Sequence, residues 1–388
     1  MILLQAAEVF DPRPVGRRDV LIGAGRVLRI AERIDPALAD TVIDVQGQLL
    51  LPGLVDALTH PCGGGGEGGF GNRTPEMEAS AFVAAGVTCP VGALGTDSIG
   101  RSLDVLYGST MALRAAGLNA WMYSGAYRVP APTLTGDVAR DLYLVEPVIG
   151  VGEVAVADHR GTQPSAAELR RLAAETQLGG ILSGVGGTVL VHVGAGASRL
   201  ALLRAAIEDS DLAPACLYPT HVNRSRALLD EAAAWTLGGG FVDITVSTTE
   251  KLIDAGDVPA ADALRHLIAA GASPEQITLS SDAGGSLPVY VDGELKGLTA
   301  ASPYCLPALL AELLREDALL FELALAGMTR NPARALRLPE GTGCIGEGLR
   351  ADLLLFDPAV GQIARVFAGG RELTAEPPEH GHNSSSSF

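Results

Sequence analysis

Side chains that could bind a metal ion or move a proton stand at or near the C-terminal ends of short apolar runs in this sequence. Imidazole nitrogens and carboxylate oxygens are ligands of catalytic zinc, which usually takes three protein ligands and leaves a fourth position for water. A carboxylate beside such a water can act as the general base. The groups in question are His60, Tyr127, Glu153, His192, His221 and Asp282. This combination predicts metal-dependent hydrolysis.

Each of these residues taken alone has an ordinary structural explanation. A single histidine in a strand is more often a hydrogen-bonded core residue than a ligand. Cys62 and Cys89, which lie near the same ends, are better explained by packing than by metal binding. Six suitable groups at the ends of successive runs are harder to explain by packing, so we interpret them as one site.

The elements that must bring these residues together are eight β-rich apolar runs. Their near-continuous hydrophobicity is typical of parallel strands covered on both faces. Eight such units predict an α/β fold, a (β/α)8 TIM barrel, in which the C-terminal strand ends meet at one mouth. The predicted strands are residues 54–58, 87–93, 119–127, 148–157, 188–194, 215–221, 240–247 and 277–283.

Helical patterns separate most of the predicted strands. Residues 165–176 begin with a capping box formed by Ser165 and Glu168. Residues 225–237 and 259–272 have the apolar spacing of helices.

The two ends of the chain differ from the barrel region because they alternate apolar and polar residues in short pieces. We predict that residues 1–53 and 340–376 form one small β-sandwich domain. The barrel domain would then comprise residues 54–339. Residues 377–388 are Pro- and Ser-rich and predict a disordered tail, in which His380 and His382 are weak candidates for metal binding.

Composition excludes several classes of function. The formal net charge of −17 argues against a nucleic-acid partner, because binding phosphates requires a basic surface. No apolar stretch approaches the roughly 18 residues of a membrane span, and the first residues have no signal-peptide pattern. Five scattered cysteines without CxxC spacing indicate a reducing cytoplasm.

Local motifs across nearly the whole chain resemble the amidohydrolase superfamily and, within it, the isoaspartyl (β-aspartyl) dipeptidases. The entry into the first barrel strand, VIDVQGQLLLPGLVDALTH, and the exit, TRNPARAL with GEGLRADLLLFDP, are similar to the superfamily. Motifs similar to the dipeptidases are GGGGEGG (63–69), RTPE (73–76), LGTDS (94–98), SGAYRVP (124–130), ADHR (157–160), PTHVNR (219–224) and LSSDAGGS (279–286).

The resemblance implies a role for each matching residue. His192 and His221 would bind metal, Asp282 would bind metal or take a proton from its water, and Tyr127 would polarise the scissile carbonyl. The aspartyl end of a dipeptide would meet Glu67 and Thr96, and its carboxylates would meet Arg160, Arg224 and Ser286. The resemblance also implies a homo-oligomer.

The glycine run GGGGEGG is not a phosphate-binding loop, because no Gly-Lys-Ser/Thr follows it. Glycines such as Gly65 would allow backbone N–H groups to approach a small zwitterionic substrate, whose ammonium would face Glu67. A flexible strand-to-helix loop is the alternative.

The metal centre departs from the family at two positions. The first strand of the family ends in His-x-His, but Leu58 occupies the first of these positions and only His60 remains. Glu153 stands where the family has a carboxylated lysine that bridges two metals, and its carboxylate lies roughly 3–4 Å closer to the backbone. We therefore expect one zinc ion per chain, bound by Glu153, His192 and His221. A second site with His60 and Asp282 would be weak or lost.

Three functions remain open. The first is hydrolysis of β-aspartyl dipeptides or a related β-aspartyl conjugate. The second is another amidohydrolase reaction, such as deacylation of an N-acyl amino acid. The third is a non-catalytic binding protein derived from the family, although binding alone would not require Asp282 and Tyr127.

Overall fold

The N-terminal residues form strands of a small β-domain. The computed structural model describes residues 1–291 and 294–374, so the predicted tail lies outside the described residues. The first strand pairs antiparallel with the second and parallel with the fourth and fifth. The strands are β1 (Ile2–Asp11), β2 (Arg13–Gly23), β3 (Arg26–Ala31), β4 (Thr41–Asp44) and β5 (Leu49–Pro52).

The predicted barrel strands are all present, and they pair in parallel within two groups. They are β6 (Leu54–Thr59), β7 (Val87–Gly92), β8 (Trp121–Ser124), β9 (Val148–Val156), β10 (Thr188–Val193), β11 (Leu217–Thr220), β12 (Val242–Thr245) and β13 (Ile277–Ser280). Strands β6 to β11 form one hydrogen-bonded sheet, and β12 pairs with β13. Strand β8 ends before the predicted residue 127 because Gly125 turns the chain with φ +89°. The α/β barrel prediction is confirmed.

Side chains and single bridges join the two groups of strands into a barrel. Asp243 in β12 accepts hydrogen bonds from Thr220 at 2.7 Å and from Tyr218 at 3.3 Å, both in β11. On the other side, the backbone of Thr59 bridges to Ala283, which follows β13. The strands therefore surround a common interior.

Helices cover the outside of the barrel strands. The capping box predicted at Ser165 and Glu168 is present at the start of the fourth helix. Across the described part of the chain, no helix combines the length and apolar character that a membrane span requires. The helices are α1 (Ala79–Ala84), α2 (Leu103–Ala115), α3 (Val138–Leu144), α4 (Ala166–Ser183), α5 (Ala201–Ile207), α6 (Arg226–Leu237), α7 (Glu250–Asp254), α8 (Ala260–Ala269), α9 (Cys305–Glu316), α10 (Ala318–Gly327) and α11 (Arg330–Ala335).

Two further groups of strands follow the barrel. A hairpin of β14 (Ser286–Val291) and β15 (Glu294–Ala300) comes directly after the last barrel strand and was not predicted from the sequence. The C-terminal strands are β16 (Leu353–Asp357), β17 (Gln362–Ala368) and β18 (Arg371–Leu373). Strand β16 pairs antiparallel with β5, so both chain ends contribute to one sheet, as predicted.

A buried carboxylate supports the end of the last barrel strand. Asp56 in β6 accepts hydrogen bonds from the backbone N–H of Ser281, at 3.0 Å, and from its hydroxyl. Burial raises the pKa of Asp56 to about 7, although the hydrogen bonds from Ser281 act in the opposite direction. The carboxyl group of Asp56 therefore fixes the backbone immediately before Asp282.

This burial predicts a pH-dependent contribution to stability. Because the pKa of Asp56 is higher in the folded chain than in the unfolded chain, its stabilising contribution is fully present below about pH 4 and is lost as the pH rises towards about 7. An amide cannot ionise, so the melting temperature of Asp56→Asn should fall less steeply than that of wild type as the pH rises from about 4 to about 7. Thermal unfolding at several pH values measures this slope. Asp254→Asn, at an exposed position, should keep the wild-type slope, and an unchanged slope in Asp56→Asn would contradict the assignment.

Candidate metal centre and substrate pocket

Three buried residues from neighbouring barrel strands converge on one point. Oε1 of Glu153 lies 2.8 Å from Nδ1 of His192 and 3.0 Å from Nε2 of His221. Their ligand atoms all lie within 4.8 Å of one another. Two imidazoles and one carboxylate, buried together, form a donor set that fits a divalent metal ion.

The order of the strands explains this convergence. Strand β10 lies between β9 and β11, and His192 is in register with Ala155 on one side and Thr220 on the other. His221 directly follows β11 with φ +60°, and its Nδ1 lies 2.5 Å from the hydroxyl of Thr245. Adjacent parallel strands therefore bring these side chains to the same end of the barrel.

Electrostatics favour the metal-binding forms of Glu153 and His221. Burial alone would raise the pKa of Glu153, but the charge and hydrogen bond of His192 and the hydrogen bond of His221 hold it well below its usual range. Burial, followed by the charge of His192, lowers the pKa of His221 to about 4. An ionised glutamate and a neutral imidazole are the forms that bind metal.

His60 and Asp282 lie beside the three-residue set. Nε2 of His60 is 3.1 Å from Oδ1 of Asp282 and 3.5 Å from Oε2 of Glu153. Its Nδ1 lies 3.0 Å from the carbonyl oxygen of Ala93 and donates to it. Burial alone would lower the pKa of His60, but Asp282 and then Glu153 raise it to about 9. His60 is therefore held between two carboxylates.

Leu58 lies in the apolar interior of the barrel. It is fully buried in the same cluster of side chains as Val91, Tyr123 and Leu190. The position of the family's first histidine is therefore filled by core packing.

Tyr127 contacts the metal-binding set through its hydroxyl. This oxygen lies 2.8 Å from Nδ1 of His192, and the guanidinium carbon of Arg160 lies 5.4 Å from the centre of the tyrosine ring. Burial raises the pKa of Tyr127 well above its usual range. The phenol therefore stays protonated and can donate a hydrogen bond.

Arg160 is already engaged within the protein. It donates from Nε and Nη2 to Asp158, at 3.0 and 2.7 Å, and from Nη1 to Glu67 at 3.0 Å. Asp158 also lies 3.1 Å from Nε2 of His192. Sequence reasoning did not assign Asp158 a role, although the ADHR motif places this acid two residues before Arg160. Arg160 thus links the metal-binding set to Glu67.

Arg224 differs from Arg160 because its guanidinium has unused donor capacity. Its Nε is buried and has no hydrogen-bond partner among the described residues. Arg224 lines the chamber together with His221, Asp282 and Ser286, the first residue of the β14 hairpin. A half-buried cation with a free, buried donor is suited to an anionic ligand.

Glu67 carries the opposite charge and borders the cavity next to the chamber, where it contacts Thr96 and Arg160 of the chamber wall. Its Oε1 accepts hydrogen bonds from Thr96 at 2.8 Å and from Arg160, while its buried Oε2 has no partner in the described part of the chain. Gly65, which lines the chamber, has φ +89°, and a Cβ there would lie 2.8 Å from the carbonyl oxygen of Asn72. The glycine requirement at this position is therefore steric as well as conformational.

Arg101 holds the glycine loop in place, and no sequence signal distinguished it. Its Nη1 donates to the carbonyl of Gly64 at 2.6 Å and its Nη2 to the carbonyl of Thr74 at 2.7 Å. The loop that carries Glu67 is thus fixed by hydrogen bonds, which argues against the flexible-loop alternative.

Comparison with known proteins identifies the family and the fold of this chain. The protein-family model described as "Amidohydrolase family" matches residues 150–374 of this chain. The crystal structure of β-aspartyl dipeptidase from Fervidobacterium islandicum AW-1, in complex with β-Asp-Leu dipeptide, is similar with a TM-score of 0.87 and 38% sequence identity over 96% of both chains. N-acetyl-D-glucosamine-6-phosphate deacetylase from Mycobacterium smegmatis has a TM-score of 0.61 at 20% identity, over 96% of this chain and 100% of that chain, and shows the fold alone.

A curated relative is similar over a short segment only. The 5'-deoxyadenosine deaminase of Methanothermobacter thermautotrophicus is 42% identical over 59 residues. This segment is 15% of the present chain and 14% of that relative's length.

The ion pair between Asp158 and Arg160 should contribute to stability. Both partners are mostly buried, so Asp158→Asn should lower the free energy of unfolding by about 2 kcal/mol, because a charged guanidinium then loses its closest carboxylate. The exposed pair of Arg171 and Glu175 gives a matched control, and Glu175→Gln should cost less than about 0.5 kcal/mol. Urea unfolding of the three proteins measures both values, and equal losses would show that burial adds nothing to the Asp158 pair.

Proposed function

The chain belongs to the amidohydrolase family, and we propose that it is a metal-dependent hydrolase of β-aspartyl (isoaspartyl) dipeptides or closely related β-aspartyl conjugates. The observation that carries this proposal is a pair of charged groups with unsatisfied buried atoms, one in the chamber and one in the adjoining cavity. Oε2 of Glu67 and Nε of Arg224 both lack protein partners among the described residues. Arg224 lines the chamber that contains Glu153, His192 and His221, and Glu67 lines the adjoining cavity, which shares Thr96 with that chamber. A ligand with an ammonium and a carboxylate complements both groups.

The substrate would lie with its aspartyl end near Glu67. The carboxylate of Glu67 would accept hydrogen bonds from the α-ammonium, beside the hydroxyl of Thr96 and the backbone of Gly65. The carboxylate of the leaving residue would meet Arg224 and Ser286. Arg160 would contribute positive charge between them, although Asp158 and Glu67 already occupy much of its donor capacity. The Fervidobacterium relative, whose structure contains β-Asp-Leu, supports a β-aspartyl dipeptide as the class of substrate.

Glu153, His192 and His221 would hold the catalytic metal ion. When bound, such an ion lowers the pKa of a water molecule and polarises a carbonyl group. The neutral phenol of Tyr127 can donate a hydrogen bond to the carbonyl oxygen of the scissile amide as negative charge develops on it. Asp282 can take a proton from the attacking water and deliver it to the leaving amine. His60 orients Asp282 through the contact at 3.1 Å.

We propose zinc as the metal, with one ion per chain, because two imidazoles and one carboxylate match its preferred protein ligands. The second position of the family would keep only His60 and Asp282 beside the buried Leu58, so a second ion would be held weakly. The described cysteines are all free thiols, which supports a reducing compartment such as the cytoplasm. Homo-oligomerisation remains a proposal that rests on the family resemblance.

A substrate panel tests the proposed reaction. The protein with zinc should hydrolyse β-Asp-Leu and should not hydrolyse N-acetyl-leucine at a comparable rate. Arg224→Met should lower kcat/KM for β-Asp-Leu more than about tenfold, because a buried substrate carboxylate loses a charge-assisted partner. The exposed Arg226→Met serves as the matched control and should stay within about twofold of wild type.

The other outcomes separate the alternatives. Efficient turnover of N-acetyl-leucine without turnover of β-Asp-Leu would support an N-acyl amino acid deacylase. Binding of β-Asp-Leu without turnover, with zinc present, would support a non-catalytic binding protein. In an active protein, Asp282→Asn should abolish turnover while the fold is retained, because it removes the proposed base at nearly constant volume.

Metal content tests the proposed centre directly. Protein purified without added metal should contain close to one equivalent of zinc by elemental analysis. Glu153→Ala should lose most of it, because two imidazoles alone make a poor zinc site, whereas the exposed Glu312→Ala should keep it. Leu58→His should add much less than a second equivalent, since Glu153 is too short to bridge two ions. Two full equivalents in wild type would contradict the single-ion proposal.

A further inference from the structure

The chamber continues into a side pocket that the proposed reaction has not used. This side pocket shares Arg160, His221, Arg224, Asp282 and Ser286 with the chamber and extends outward to Ser247, Leu252, Asp257 and Leu287. Its volume is about 210 Å³, against about 60 Å³ for the chamber itself. The side pocket therefore has room for a substrate side chain.

The side pocket lies on the side of the chamber where the leaving residue of the substrate would bind. Glu67 and Thr96, which would meet the aspartyl end, border a different cavity on their side of the chamber. Arg224 and Ser286, which would meet the carboxylate of the leaving residue, border the side pocket. A side chain on the same carbon as that carboxylate would enter the side pocket.

The side pocket contains the carboxylate of Asp257. No group in the part of the chain that the structure describes donates a hydrogen bond to this carboxylate. Burial raises the pKa of Asp257, and the positive charge of Arg224 only partly offsets this effect. The hydroxyl of Ser247 is also buried without a partner. A partly buried carboxylate and an unpaired hydroxyl complement a ligand that donates hydrogen bonds and carries positive charge.

The backbone holds Asp257 rigidly beside Arg224. The N–H of Asp257 donates to the carbonyl of Leu252 at 2.9 Å. Asn223, which precedes Arg224, exchanges two hydrogen bonds with Val258: its carbonyl accepts from the N–H of Val258 at 2.7 Å, and its Nδ2 donates to the carbonyl of Val258 at 2.9 Å. The carboxylate therefore keeps a fixed place relative to Arg224.

We infer that the side pocket selects a leaving amino acid with a cationic side chain, arginine or lysine, and that Asp257 is the residue that determines this specificity. The inference rests on the proposed function. The aliphatic stem of such a side chain would pack on Leu252 and Leu287, and its charged end would meet Asp257 and Ser247. An acidic side chain would be repelled by Asp257, and leucine would leave the carboxylate desolvated without a partner.

The test compares β-Asp-Arg, β-Asp-Lys, β-Asp-Leu and β-Asp-Glu as substrates of the zinc-loaded wild type, Asp257→Asn and Asp254→Asn. Wild type should have a kcat/KM for β-Asp-Arg about tenfold above that for β-Asp-Leu, with β-Asp-Glu lowest. Asp257→Asn should lower the value for β-Asp-Arg about tenfold and leave that for β-Asp-Leu equal or higher, because a neutral amide costs less to desolvate than a carboxylate. The exposed Asp254→Asn, three residues earlier, should behave as wild type.

Two results would overturn the inference while leaving the proposed function intact. One is a wild-type preference for β-Asp-Leu over β-Asp-Arg. The other is an equal change for all four dipeptides in Asp257→Asn, which would mean that Asp257 only tunes the charge of Arg224. Failure to cleave any β-aspartyl dipeptide would instead defeat the proposed function, and the inference with it. Retained cleavage of β-Asp-Leu by Asp257→Asn shows that this variant is folded.

Discussion

A single carboxylate oxygen holds the centre of this site together. Oε1 of Glu153 lies within 3.0 Å of nitrogens from both His192 and His221, and the other oxygen of the same group faces His60. These groups are almost completely buried, so each requires a partner of opposite charge or a metal ion. The parallel barrel supplies that arrangement, because consecutive strands present their final side chains to one shared space.

Charge compensation extends outward from this centre in a continuous chain of contacts. His192 contacts Asp158, Asp158 binds Arg160, and Arg160 reaches Glu67 on the glycine loop. The chain of contacts ends at Glu67, whose Oε2 has no partner among the described residues, and Arg224, outside this chain of contacts, also has an unused donor. At this site, the two groups with unused capacity are ones that a zwitterionic ligand could complete.

The proposed metal-binding and substrate-binding residues lie on different kinds of element. The residues that would bind metal lie on or next to strands, while those proposed for substrate recognition lie on loops held by specific hydrogen bonds. Arg101 fixes the glycine loop that carries Glu67, and Asn223 fixes the loop that carries Asp257. Changes of substrate preference can therefore arise in these loops without disturbing the barrel.

The sequence alone was sufficient for the barrel and for the position of polar residues at its strand ends, because continuous apolar runs and the polar residues that end them are local signals. The choice of Glu153, His192 and His221 as a metal-binding set came from the resemblance to the family, and the structure brings these three residues together. The sequence could not assign Asp158, Arg101 or Asp257, since a carboxylate or guanidinium in a loop looks the same whether it is solvated or buried. Nor could it reveal the β14 hairpin or the engagement of Arg160 with Asp158 and Glu67. Those features depend on distances between segments far apart in the chain, which only the closed barrel determines.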